Sequence, residues 1–143
     1  IKGRGQYGKK WISKKGNLFV SFFFNLNKFN ISLKKLTKFN CLLVKKCISR
    51  YYNKKIHFKK PNDLIIKKKK ICGILQEKIN KFNNDYFIVG IGINLIKSPA
   101  IKDYPTTNLK ELINKDISKK KIEIELKKIF ENSLNKLLKK GYN

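Results

Sequence analysis

The sequence predicts an α+β domain: a mostly antiparallel mixed sheet with helices packed on it. Three observations carry this reading. Strand-like runs rich in aromatic and β-branched residues recur up to about residue 95, one amphipathic helical stretch beginning at Ser32 lies among them, and helical periodicity takes over after Pro99 and Pro105. Residues 17–24, "NLFVSFFF", read as a buried strand bounded by Gly16 and Asn25. "NLNKFN" follows as a turn-rich link. Ser32 is placed to cap a helix whose apolar stripe runs Leu33, Leu36, Phe39, Leu43, Cys47, Tyr51, with lysines on the other face. "KIHF" is a short strand that stops at Pro61, and "LII" leads into the lysine run 67–70, read as a hairpin tip. "ICGILQEKI" and "DYFIVGIGINL" are paired strands across "NKFNN". Residues 108–114 suit a short helix. Ser118 caps a long one over 119–139, with Ile122, Leu126, Ile129, Phe130, Leu134, Leu137 and Leu138 on one face.

The chain has 143 residues, enough for one modest core, and 41% of them are hydrophobic, which argues for a folded domain. No internal repeat and no linker marks a second domain. The net charge of +26 invites a polyanionic partner. However, all but two of the 35 basic residues are lysine, the exceptions being Arg4 and Arg50. Dedicated phosphate readers keep arginine for its bidentate fork, so the basicity is better read as compositional drift. Cys41, Cys47 and Cys72 form no C-x-x-C pair, and His57 is the sole histidine. A zinc site and a Ser-His-Asp or Cys-His nucleophile are therefore disfavoured, and reduced, buried thiols in a cytoplasmic protein are expected. The longest apolar run, "LFVSFFF", is far shorter than the roughly 20 residues that span a bilayer.

The opening "GRGQYGKKW" satisfies G-x-G-x-x-G, but only Ile1 and Lys2 precede it and no acid follows at the expected distance. The dinucleotide-binding reading needs a strand before the glycines and a helix opening on them, so it fails on context. Glycines also stand inside strands, at Gly73, Gly90 and Gly92. An interior glycine weakens a strand by roughly 0.5–1 kcal/mol and marks a bulge or a close approach of ligand to backbone. Near them lie Lys59, Asn62, Asp63 and Lys70. A Gly/Arg loop, two lysines, an Asn-Asp turn and three strand glycines together fit a flat, mostly apolar ligand carrying anionic oxygens. Trp11 is placed to stack on a base, and Asp63 to help hold a divalent cation or position a lysine.

With these pieces assembled, the chain resembles the catalytic domain of biotin–protein ligases. The matching segments are "GRGQYGKKW", "SKKGNLF", "KKPNDL", "KICGILQE" and "GIGIN", in family order over residues 3–94, and "TTNL" at 106–109 resembles a further downstream segment. The resemblance implies a class II synthetase-like core that activates biotin with ATP as biotinyl-5'-AMP and passes it to a lysine of a biotin carboxyl carrier domain of a carboxylase. It implies Mg²⁺ with the ATP, a cytoplasmic setting, and no membrane or nucleic-acid partner; it leaves the oligomeric state open.

By the same resemblance, Gly3, Arg4 and Gly5 belong to the loop closing over biotin and the adenylate phosphate, and Trp11 stacks on adenine. Lys70 lies between the biotin carboxylate and the α-phosphate, and Lys59 belongs to the P-N-D turn. Asn62, Asp63 and Asn94 lie on the nucleotide and metal side. Gly73, Ile74, Gly90 and Gly92 wall the biotin. Lys70, Arg4 and Lys59 are the implied catalytic groups. The chain departs from the family pattern at Gln6, Lys14 and Lys60. The family's upstream biotin-binding segment and its downstream small β-barrel domain are expected beyond the two ends, making 1–143 a partial catalytic domain. Alternatives are a lipoate-type ligase, whose arginine-rich triple-glycine loop is not in the sequence, a basic nucleic-acid-binding module, which gives no reason for the strand glycines, and a degraded ligase without activity.

Overall fold

The computed structural model describes Gly3–Arg4, Lys10–Trp11 and residues 14–141. Two short strands, β1 (Gly3–Arg4) and β2 (Lys10–Trp11), pair antiparallel, with Gly3 opposite Trp11 and Arg4 opposite Lys10. The main sheet holds β3 (Leu18–Asn25), β4 (His57–Lys59), β5 (Asp63–Ile66), β6 (Lys69–Lys81) and β7 (Asn84–Ile93), in the order β3-β7-β6-β5-β4. Every pairing in it is antiparallel, in keeping with the mostly antiparallel α+β sheet expected from the sequence. Among the described residues the one parallel contact is an isolated bridge between Lys70 and Thr106. Helices α1 (Leu33–Ser49), α2 (Leu109–Ile113) and α3 (Lys119–Gly141) complete the α+β architecture.

Two tight tips set the register. Lys67 and Lys68 between β5 and β6 have φ of 50° and 64°, and Phe82 and Asn83 between β6 and β7 have 52° and 60°. Positive φ at both central residues matches the right-handed twist of a hairpin. Lysine and phenylalanine adopt it at a steric cost, and Phe82 is left 90% exposed.

One face of the sheet meets α1 and α3. Phe87, Val89, Ile91 and Ile93 of β7 alternate into the core with Cys72 and Ile74 of β6 and Leu64 and Ile66 of β5. Phe22 of β3 stacks on Phe130 of α3 with centroids 4.2 Å apart. Tyr51 donates to Glu125, 2.5 Å away, joining the end of α1 to α3. Ser32 caps α1 by accepting from Lys35 N–H, and Ser118 accepts from Lys121 N–H at the start of α3. The stripe of α1 is rotated from expectation. Leu36, Leu43 and Cys47 are buried, but so are Asn40, Val44 and Ile48, while Leu33 is exposed. Asn40 reaches Gln76 on β6, whose amide also bonds Thr37 O, so a polar contact fixes the helix's rotation over the sheet.

Burial pushes the Cys41 and Cys47 thiols up from about 9 to about 11, opposed at Cys41 by a hydrogen bond from Gln76 and reinforced at Cys47 by Glu125. Complete burial also pushes the Cys72 thiol well above its ordinary value, with Asp63 adding to it. The folded thiols therefore keep protons that the unfolded chain has released. Stability is full below pH about 9 and falls as pH rises toward 11. The urea midpoint is expected to drop between pH about 9 and about 11, and to drop less when Cys47 is replaced by Ala. Equal pH slopes for the two proteins would show that Cys47 does not carry the effect.

Candidate functional site

The strand glycines lie on the face away from α1 and α3. Residues directly opposite in antiparallel strands share a face, and one cross-strand row runs Phe19, Gly92, Gly73, Asp63, Lys59 across all five strands. Its two central members have no side chain, so the middle of that face is backbone, with an aromatic ring at one end and a carboxylate and an ammonium at the other. Gly90, two residues from Gly92, lies in the next row between Ser21 and Leu75. A Cβ there would meet Leu75 O at 3.6 Å, ordinary contact, so packing within the sheet does not demand glycine at 90.

Lys70 reaches this face through an irregularity. Along β5 and β6, Asp63 pairs with Gly73 and Leu64 with Cys72, but Ile65 pairs with Lys70, leaving Ile71 as an extra residue. Strict alternation from Cys72 would aim Lys70 at the helices; the bulge turns it to the glycine face. Its Nζ lies 3.1 Å from Asp63 Oδ1, with the two side chains 12% and 10% exposed. That oxygen has no well-aligned hydrogen-bond donor, so the ammonium is its ionic partner. Tyr104 donates its hydroxyl to Asp63 Oδ2 at 2.5 Å. The Tyr104 ring lies 4.3 Å from Lys59 Nζ and 5.3 Å from Lys70 Nζ. Burial first, then the hydrogen bond and charge of Asp63, push the Tyr104 phenol well above its ordinary range, so it remains a neutral donor.

The structure thus brings Lys59, Asp63, Lys70, Gly73 and Gly92 together, with Gly90 one row away. Three other expected residues have different surroundings. Ile74 points its side chain into the core, and its N–H donates to Asn62 O at 2.7 Å, so neither faces the glycine row. Asn62 contributes that carbonyl next to the cis Lys60–Pro61 peptide.

Asn94, expected beside the nucleotide, is 2% exposed and engaged within the protein. Its backbone N–H donates to Ile71 O at 2.8 Å, and its carboxamide contacts Lys70 O and Asn17 Nδ2 at 3.4 Å each. It braces the strand that carries Lys70 rather than facing a ligand. Gly3, Arg4 and Trp11 are described only as backbone of the β1–β2 ribbon. The side chains of Arg4 and Trp11, and all of Gly5, lie outside the described residues.

Asp63 does not fit the metal-ligand role expected for it. Both its oxygens have partners, one of them an ammonium that would repel a dication. Among the described residues no group of three His, Cys, Asp or Glu stands together. No helix among them is long and apolar enough to cross a membrane.

Tyr104 and Asn17 were not singled out by sequence reasoning. Asn17 Oδ1 accepts from the N–H groups of Leu95, Ile96 and Lys97 at 3.0–3.1 Å, and its Nδ2 donates to Lys97 O at 2.9 Å. The "GN" within "SKKGNLF" was the available signal: Gly16 has φ +94°, and a Cβ on it would come within 2.1 Å of Ile96 Cδ1.

Residues 1–94 match the Biotin/lipoate A/B protein ligase family. Over 95 residues, 65% of this chain, the sequence is 32% identical to the bifunctional ligase/repressor BirA of Escherichia coli (strain K12), covering 30% of that protein. The biotin protein ligase from Aquifex aeolicus, solved in complex with biotin and ATP, superposes with a TM-score of 0.81 at 32% identity, over 98% of this chain and 59% of that one. The biotin protein ligase of Leishmania major, solved in complex with biotinyl-5-AMP, superposes with a TM-score of 0.75 at 24% identity, over 90% and 58%, a likeness of fold alone. The chain spans 30% of the curated relative and 59% of the Aquifex structure. The α+β sheet with its packed helices is the fold of these catalytic domains.

Proposed function

The chain belongs to the Biotin/lipoate A/B protein ligase family, and from that premise we propose that it is catalytic core of an ATP-dependent biotin–protein ligase. The observation that carries this reading is the placement of Lys70 beside a row whose centre, Gly73 and Gly92, is bare backbone. A fused, mostly apolar ring system lies flat on such a floor, and its anionic end falls toward Lys70.

In the proposed reaction a biotin carboxylate oxygen attacks the α-phosphorus of ATP. A C–O–P bond forms, the bond to pyrophosphate breaks, and biotinyl-5'-AMP results. A carrier lysine amine then attacks the acyl carbon and AMP leaves. Both reactants of the first step are anions, so the barrier is largely electrostatic, and a fixed cation aimed at the developing charge lowers it. Lys70 supplies that cation. Asp63 holds Lys70 without neutralising the site, because Lys59 adds a second positive charge at the end of the row.

The second step needs alignment of amine and acyl carbon more than a protein nucleophile. In this reading Gly3, Arg4 and Gly5 close over biotin and the adenylate, Trp11 meets adenine, and Asn62 lies on the nucleotide side. Magnesium would arrive with ATP as its counter-ion, since the described residues offer no carboxylate cluster to hold it. The acceptor is a biotin carboxyl carrier domain, and the setting is the cytoplasm, where carboxylases and ATP are found.

The test is ATP–pyrophosphate exchange by the intact protein. Exchange is expected only when biotin is present. Exchange driven by lipoate or octanoate, with none from biotin, would overturn the assignment in favour of a lipoate-type ligase.

A further inference from the structure

Asp63 is gripped from two sides. Lys70 lies on Oδ1, and the second grip, Tyr104 on Oδ2, comes from the segment that follows β7, two residues ahead of the ligase-like stretch at 106–109. That segment is pinned to the strand bearing Lys70. Lys70 N–H donates to Pro105 O at 2.8 Å, Thr107 N–H donates to Lys70 O at 2.9 Å, and Thr106 Oγ1 donates to Pro99 O at 2.6 Å. The backbone around residue 105 is therefore registered to Lys70 itself, and Tyr104 is the side chain that this registration sets over the Lys70–Asp63 pair.

We propose that Tyr104 is a positioning residue for adenylate formation, fixing the plane of the Asp63 carboxylate and through it the direction of the Lys70 ammonium. The inference rests on the biotin-ligase reading. A carboxylate held at one oxygen by a flexible ammonium can rotate about its Cβ–Cγ bond and carry the ammonium with it. A short phenol hydrogen bond on the second oxygen removes that freedom. The ring does a second job, since Lys59 Nζ and Lys70 Nζ both lie within reach of its π face, 4.3 and 5.3 Å from its centre. A neutral ring beside two cations attracts both and adds no negative charge to a site that must receive anions. Displacing a catalytic cation by a fraction of an ångström weakens its hold on the transition state more than on bound substrates. The loss should therefore fall on kcat.

The experiment compares wild type, Tyr104→Phe, Asp63→Asn and the double variant in biotin-dependent ATP–pyrophosphate exchange, using the intact protein. Tyr104→Phe is expected to lower kcat about tenfold with KM for ATP and biotin changed less than about twofold. Because Tyr104 acts through Asp63, the double variant should be no slower than Asp63→Asn alone. A wild-type kcat in Tyr104→Phe, a change confined to KM, or multiplicative losses in the double variant would each overturn the role. Should Tyr104→Phe fail to fold, the titration of Tyr104, followed by NMR of its labelled ring carbon in wild type and Asp63→Asn, decides. A phenol raised in wild type that returns toward its ordinary value in Asp63→Asn supports the contact, and one indifferent to Asp63 overturns it. A wild type with no biotin-dependent exchange would overturn the functional reading, and this role with it. A wild type that exchanges beside an unimpaired Tyr104→Phe would overturn the role alone.

Discussion

On the biotin-ligase reading, Lys70→Ala is expected to lower biotin-dependent ATP–pyrophosphate exchange by two to three orders of magnitude, the loss on the order of 10²–10³ that follows when a preorganised electrostatic group is removed from a developing anion. The size follows from where the ammonium lies. It is at the start of β6, 12% exposed, on the face where Gly73 and Gly92 leave the backbone bare. Water cannot easily replace it there. The substitution also strands Asp63, and breaking a largely buried pair by removing one partner costs roughly 3–5 kcal/mol, so lost activity has to be separated from lost fold. Lys70→Met in an Asp63→Asn background removes both charges together and restores much of that stability. Its exchange should still fall far below that of Asp63→Asn alone, read beside circular dichroism and Tm. Equal exchange in the two would remove Lys70 from the mechanism.

The residue types of this site were legible in the sequence; their aim was not. Glycine at 73, 90 and 92 stands out because a bare sheet favours β-branched residues there, and that signal survives in any register. Which glycines face each other depends on register, and two hairpin tips made of Lys67–Lys68 and Phe82–Asn83 set it. Neither tip carries the Asn-Gly or Asp-Gly signature that would have announced it. Lys70 shows the limit most sharply. Period-2 alternation groups it with Cys72 and Ile74 on the helix side, and only the extra residue at Ile71 puts it with Asp63.

Ile74 and Asn94 show the converse. Both stand within two residues of site glycines in the chain, and both turn inward, Ile74 because alternation sends it to the core and Asn94 because it joins strand ends. The helices were easier to read because their caps are local: Ser32 and Ser118 each accept from a backbone N–H three residues on. The stripe of α1 was harder, since Asn40 faces inward to meet Gln76, which no periodicity of apolar residues can register. Tyr104 carried no signal at all, because its partner lies 41 positions away.

Asn17→Ala is expected to cost roughly 2–4 kcal/mol of stability, seen as a fall in Tm of about 10 °C. One buried amide oxygen accepts three consecutive backbone N–H groups, those of Leu95, Ile96 and Lys97, where the chain leaves β7. Alanine leaves all three without that acceptor, and no water can reach a side chain position that is 1% exposed without opening the turn. The loss of Nδ2 also frees Lys97 O and the Asn94 carboxamide, and Asn94 is the residue that braces Ile71 and Lys70. Asn17→Asp separates the two halves of the job. It keeps an oxygen for the three N–H groups but sets a carboxylate against Lys97 O, so its Tm should fall between wild type and Asn17→Ala. A Tm for Asn17→Ala equal to that of wild type would mean that the strap from Gly16 to Lys97 is held by packing on Ile96 alone, and that the strand carrying Lys70 does not depend on it.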